Sequence, residues 1–422
     1  MTTFQTHLEF ALTQDKKDPL KDFRNQFFIP KHKDGSDSIY FCGNSLGLQP
    51  KHTSNYIQEE LNDWASLGVE GHTQGEHPWL HYHEFLTEPM AKIVGAKPIE
   101  VVIMNTLTAN LHLLMASFYK PSSKRYKILI EADAFPSDKY AVESQLRHHG
   151  YDDKEGLLLW HSREGEELAR YEDLEAILSD QGEEIALVMI GGVNYYTGQF
   201  FDLKRITKLG HDYGCMVGFD CAHGAGNVDL QLHASGADFA IWCSYKYLNS
   251  GPGSLSGVFV HERHAYNKEL NRFTGWWSHN KQTRFKMRDE FDLMPGAEGW
   301  QLSNPPILSM AAIRSSLDVF ESAGMTNLIE KSKKLTAYFQ YLIEALDNSS
   351  IRIITPKDPT ERGCQLSIQV KNADRSLHKQ LMDMGVISDW REPDVIRCAP
   401  VPLYNSFEDV FQMVERLKKA LN

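Results

Sequence analysis

Lys246 stands in CSYKYLNSGPGS (243–254), flanked by aromatic residues, at the expected end of a strand and in front of a glycine-rich turn. Two further stretches bring reactive types to strand ends. CMVGFD (215–220) closes on Asp220, with His223 three residues on, and KILIEADAF leads to Phe135 and then to Pro136, Ser137 and Asp138 at a helix start. A lysine amine can condense with an aldehyde to form a Schiff base. A carboxylate can keep a pyridine nitrogen protonated, and an aromatic ring can stack on the pyridine face. A phosphate is received by a helix N-terminus carrying hydroxyls, which Thr106 and Thr108 of NTLTANLHLLM (105–115) offer. Together these residues suit pyridoxal phosphate. No Walker sequence or GxGxxG follows a strand, which counts against nucleoside triphosphates and dinucleotides.

Taken singly, each residue has a plainer reading. A strand-end aspartate caps or turns the chain, a lone lysine is solvated, His223 is a hydrogen-bonded core histidine, and Phe135 packs. Trp276 and Trp277 read as packing unless a neighbouring subunit lines the cleft. Combination at neighbouring strand ends is what lifts them, because open α/β sheets collect ligands there.

The elements that must position these residues are short apolar runs alternating with amphipathic segments, the pattern of an α/β fold with a mostly parallel sheet covered on both faces. Strands are predicted at 127–131, 156–160, 185–190, 215–220 and 238–243, with 257–262 antiparallel. Helices are predicted near 107–118, 137–148, 172–179 and 203–213, with Gly150 and Gly214 at helix ends that need a left-handed residue. A long helical stretch over 307–347 leads to a small α+β unit, with strands at 351–355, 364–370 and 395–400 and helices near 375–384 and from Ser406. Asn405 and Glu408 are expected to cap that last helix. The organisation expected is an N-terminal segment (1–60) packing with the small unit, a large domain (61–310) and a small C-terminal domain (311–422).

The composition is that of a globular protein, 42% hydrophobic and 24% charged over 422 residues. A net charge of −12 without a basic run excludes nucleic acid as a partner. With no leader-like segment and no apolar run long enough to span a bilayer, a cytoplasmic protein is expected. Six cysteines without a CxxC pair suggest neither a metal site nor a disulfide framework.

At these residues the sequence resembles the kynureninase family, homodimeric fold-type I pyridoxal-phosphate enzymes of the aspartate aminotransferase superfamily. The resemblance runs through YFCGNSLGLQP (40–50), NTLTANLHLLM, AFPSDKYAVESQL (134–146), GFDCAHGAGNVDL (218–230), WCSYKYLNSGPG (242–253), GWWSHN (275–280), SNPPIL (303–308) and IRCAPVPLYNSF (396–407). It implies a seven-stranded, mostly parallel sheet in the large domain. It implies that Lys246 carries the cofactor and moves protons, that Asp220 pairs with the pyridine nitrogen near His223, and that Phe135 stacks on the ring. Leu107, Thr108, Pro136, Ser137, Asp138 and the Tyr245 phenol would complete the pocket, with Trp276 and Asn304 reaching in across a dimer interface. Arg397 would grip the substrate α-carboxylate, and Tyr245 is implied as a general acid.

The implied reaction is hydrolysis of kynurenine to anthranilate and alanine, or of 3-hydroxykynurenine to 3-hydroxyanthranilate and alanine. Ser45, His72, Ser303 and Asn304 resemble the pattern of members that favour the 3-hydroxy substrate, on a route toward quinolinate and NAD. The alternative for His72 is that it only orders its loop. Rivals of the same fold are an aminotransferase and a cysteine desulfurase. The latter needs a reactive thiol, for which Cys364 is the candidate in the small domain. A non-catalytic scaffold would be expected to lack Lys246, Asp220 or Arg397, and all three are present.

Overall fold

The computed structural model describes residues 4–421, so residues 1–3 and 422 of the expected terminal units lie outside it. Seven strands form the central sheet in the order Val101–Met104, Ser256–Val260, Phe239–Cys243, Met216–Asp220, Ile185–Gly191, Lys127–Glu131, Leu157–Trp160. The five from Phe239–Cys243 onward in that order pair in parallel. Ser256–Val260 runs antiparallel to both of its neighbours. The parallel strands are apolar along nearly their whole length because helices cover both faces; Ile185 to Ile190 are all buried. The Val101–Met104 strand was not among those predicted, although its run of Val-Val-Ile-Met carries the same signal.

A second sheet orders Asp389–Arg391, Val395–Cys398, Leu366–Val370 and Ile351–Ile353, all antiparallel. Its core joins Leu335, Phe339, Leu366 and Ile396 with Phe10, Ala11, Ile39 and Phe41 from the N-terminal segment. Other parts of that segment, Leu20, Phe27 and Leu48, pack instead into the core of the large sheet, with Val188, Ile190 and Phe219.

Two local expectations are corrected. The stretch 307–347 is two helices, Ile307–Ala323 and Met325–Glu344, interrupted at Gly324, whose φ of +74° suits glycine. The first of them buries Met310, Ile313, Leu317 and Phe320 in the core of the large sheet, and Leu328 of the second still belongs to that core. The last helix, Phe407–Ala420, is capped by Ser406 with Asp409, not by Asn405 with Glu408. Ser406 Oγ accepts the Asp409 N–H, while Asn405 accepts from the Val401 N–H. Among the described residues no helix is long and apolar enough to cross a membrane.

The end of the sheet away from Lys246 is pinned by Asp238, at the start of the strand that leads to it. The buried carboxylate accepts from Nε2 of His211 and of His264, each at 2.9 Å, and from Arg263 Nη2 and the Val217 N–H, each at 2.8 Å. Burial works to raise its pKa, but these donors outweigh it and hold the carboxyl far below the ordinary range. Its stabilisation is therefore fully present above the unfolded-state value of ~3.9 and is drawn down as pH falls below it. Asp238→Asn is expected to cost about 3 kcal/mol in urea unfolding at pH 7, with the deficit shrinking below about pH 4. A deficit that stays constant down to pH 3 would contradict this account.

Candidate active site

The parallel strands deliver their C-terminal ends to one edge of the large sheet, where a cavity of about 180 Å³ opens. Its lining includes Leu107, Thr108, Glu131, Phe135, Ser137, Asp138, Tyr195, Asp220, His223, Tyr245 and Lys246. Asp220 is the last residue of its strand, and its Oδ1 accepts the Ala222 N–H at 2.7 Å, which turns the chain so that His223 faces the same cavity. Lys246 follows the Phe239–Cys243 strand, and its Nζ lies 3.0 Å from His223 Nε2 and 5.8 Å from the centre of the Phe135 ring. Phe135 precedes the helix Pro136–His148, and Leu107 opens the helix Leu107–Phe118. The two helix N-termini meet through Thr108 Oγ1 and Ser137 Oγ, 3.0 Å apart. Thr106, expected beside Thr108, is exposed and off the cavity wall.

The backbone that carries Lys246 is braced from the N-terminal segment. The Gly47 N–H donates to the Tyr245 carbonyl at 2.8 Å, and a Cβ at Gly47 would lie 2.2 Å from the Lys246 carbonyl oxygen, so no larger residue fits in GNSLG at that point. Gly251 and Gly253 serve differently: their φ values of +91° and +67° demand glycine, while nothing crowds the space beside them.

The electrostatics separate neighbours into different protonation states. Burial, then the charge of Lys246, pushes His223 well below the usual histidine range, so it is neutral and accepts from the ammonium. Burial raises Asp138, and the nearby Asp220 raises it further, so Asp138 is the protonated partner of the two. Burial likewise lifts Glu131 to about 7. The Tyr245 phenol is pushed up by burial and by the Cys243 thiol and stays protonated.

Arg397 sits behind this cavity on Val395–Cys398, 1% exposed. Its Nη1 donates to the Tyr195 carbonyl at 2.5 Å and its Nη2 to Asp389. Burial lowers its pKa to about 10, so it remains a cation at neutral pH.

A family model described as the kynureninase C-terminal domain matches residues 328–417. The chain is 57% identical over 421 residues to a kynureninase of Myxococcus xanthus, covering 99% of both chains. The chain belongs to the kynureninase family. A kynureninase of Nematostella vectensis is 48% identical over 434 residues, covering 98% of this chain and 93% of that one. In fold the chain is also similar to a cysteine desulfurase of Thermococcus onnurineus (TM-score 0.73, 17% identity, 99% of each chain) and to a C-DES mutant with glycine linked to its pyridoxal-phosphate cofactor (TM-score 0.77, 15% identity, 94% of this chain and 98% of that one). These two establish the fold-type I architecture alone. The thiol the desulfurase rival would use, Cys364, is fully buried, and burial pushes it well up.

Membership of the kynureninase family makes the chain a pyridoxal-phosphate hydrolase of carbon–carbon bonds, and the cavity fits that cofactor. Asp138 Oδ1 and His223 Nδ1 are buried without a hydrogen-bond partner among the described residues, as groups awaiting a ligand would be. The Phe135 ring is 43% exposed and so free to stack. Pro136 opens its helix without lining the cavity.

Five further predicted residues do not line the cavity. Trp276 is 44% exposed and packs edge-on against Trp277 and Phe285, and Ser303 and Asn304 are exposed. His72 bonds its own loop, its Nδ1 lying 3.0 Å from the Val69 carbonyl, and meets Trp79 edge-on. Ser45 lies exposed on the loop braced against Tyr245. The sequence reading missed Glu131, Tyr195 and Asp389. Glu131 closes an apolar strand as Asp220 does, a signal that was available; the other two carry none.

Proposed function

We propose that this chain hydrolyses the Cβ–Cγ bond of 3-hydroxykynurenine in preference to kynurenine, as a cytoplasmic homodimer whose active sites lie at the subunit interface. The observation that carries the reading of the site is the meeting of Lys246, neutral His223, Asp220 and an exposed Phe135 ring in one cavity with Arg397 at its back. When bound, pyridoxal phosphate supplies an electron sink for the bonds broken at and next to the substrate α-carbon. Asp220 would pair with its ring nitrogen, Phe135 would stack on its face, and the Thr108 and Ser137 hydroxyls at two helix N-termini would receive its phosphate.

Lys246 Nζ, beside a histidine that cannot compete as a cation, takes the substrate α-proton and returns it. Arg397 holds the α-carboxylate, which fixes which substituent of the α-carbon faces the lysine. Tyr245, protonated, donates at the Cβ that departs from the ketone carbon. Water adds to that ketone carbon, so one product leaves as the aromatic carboxylate and the other as alanine.

The 3-hydroxy preference rests on His72, Ser303 and Asn304. Ser303 and Asn304 are exposed in one chain, as residues offered to a second subunit would be, while His72 is half-buried on its own loop, and exposed aromatics Trp276, Phe273 and Phe285 accompany them. A site that hydrogen-bonds a phenol hydroxyl rejects the analogue lacking it. Steady-state assays should give a kcat/KM at least about tenfold higher for 3-hydroxykynurenine than for kynurenine. Equal values, or the reverse order, would remove the preference while leaving the reaction intact.

A further inference from the structure

Behind the cavity two guanidiniums share one carboxylate. Asp389 and Arg397 stand opposite each other across antiparallel strands, and Asp389 Oδ2 accepts from Arg397 Nη2 and, at 3.0 Å, from Arg391 Nη2. Both cations lie over the ring of Tyr195, at 5.8 and 5.7 Å from its centre, and that ring meets Phe135 edge-on at 5.3 Å. Among the described residues no other carboxylate pairs with either guanidinium, and Nε of each is buried without a partner.

We propose that Arg391 and Asp389 are positioning residues that set the charge of the carboxylate subsite. Two cations and one anion leave one positive charge, and that charge is what a single substrate carboxylate neutralises. The proposal rests on the reading of Arg397 as the α-carboxylate grip. Asp389 and the Tyr195 carbonyl each hold one terminal nitrogen of Arg397, which fixes the guanidinium plane and leaves Nε–H and the remaining terminal hydrogens for the substrate. Asp389 alone would cancel Arg397 and leave nothing to draw an anion into a buried site. Arg391, 36% exposed at its side chain, engages the same oxygen and restores the surplus.

The test is a spectral titration of the cofactor-loaded protein with L-alanine and with L-alaninamide, which lacks the carboxylate, following the cofactor absorbance rather than turnover. Arg391→Gln should weaken L-alanine binding about tenfold and leave L-alaninamide unmoved. Arg391→Lys, which keeps the charge, should stay within about threefold of the unchanged protein. The double variant Arg391→Gln with Asp389→Asn restores the single surplus charge and should recover most of the lost affinity. A role confined to structure predicts instead that the double variant is as weak as Arg391→Gln or weaker, and that result would overturn the charge count. Arg397→Lys separates the two readings. If it leaves the alanine-to-alaninamide ratio untouched, the grip lies elsewhere and the proposal falls with it; if it abolishes the ratio while the double variant fails to recover, only the charge count falls.

Discussion

Lys246→Ala is expected to lose about 10⁴-fold or more in kcat/KM while keeping its fold. The size follows from two losses at one atom: the amine that would hold the cofactor covalently and the base that would move the α-proton. No other side chain lining the cavity replaces it. His223 is 3.0 Å away, but burial holds it well below the usual histidine range, and removing the lysine charge takes away only the second of the causes. Lys246 is half-buried at the cavity rather than packed in the core, so the truncation leaves no hydrophobic void. A thermal melt of cofactor-free protein should therefore be unchanged, and borohydride should fix cofactor to the original chain and not to the variant. A variant that keeps a tenth of the activity would exclude Lys246 from the chemistry.

Arg397→Lys is expected to lower kcat/KM by about 10²-fold, chiefly through KM. A guanidinium can give one terminal nitrogen to the Tyr195 carbonyl, another to Asp389, and still present a fork to a carboxylate. A lysine has one nitrogen to serve all three, so it loses the paired geometry that fixes the substrate about its α-carbon. The charge remains and Asp389 keeps Arg391 at 3.0 Å, so the fold should survive the change. A loss confined to kcat with KM unchanged would instead assign Arg397 to the transition state alone.

The cavity half of the candidate site was readable in the sequence because it follows from strand ends. Apolar runs of four to six residues locate the strands, and the residues just after them, Asp220 and Lys246, converge whatever the loops do, once the strands lie parallel and adjacent. Phe135 and Ser137 follow from the same rule, with Pro136 marking the helix start. The proposed carboxylate subsite was only half readable. Arg397 was found through its surrounding motif, but its pairing with Asp389 depends on the register of two short antiparallel strands, which no local periodicity sets. Tyr195 belongs to an irregular loop, VNYYTG, whose backbone carbonyl does the work, and side-chain type says nothing about that. The break at Gly324 was visible in ESAGMTN but was outweighed by apolar spacing on both sides of it. His72, Trp276, Ser303 and Asn304 are a different case: the last three are exposed and His72 is half-buried on its own loop, and only the proposed second copy would bring them to the cavity.

The most direct test of the central claim is to mix purified, cofactor-loaded protein with 3-hydroxykynurenine and measure both products, beside Lys246→Ala. The account predicts 3-hydroxyanthranilate and alanine in equal amounts from the original chain and neither from the variant. A protein that binds the cofactor through Lys246 yet cleaves neither 3-hydroxykynurenine nor kynurenine would contradict it.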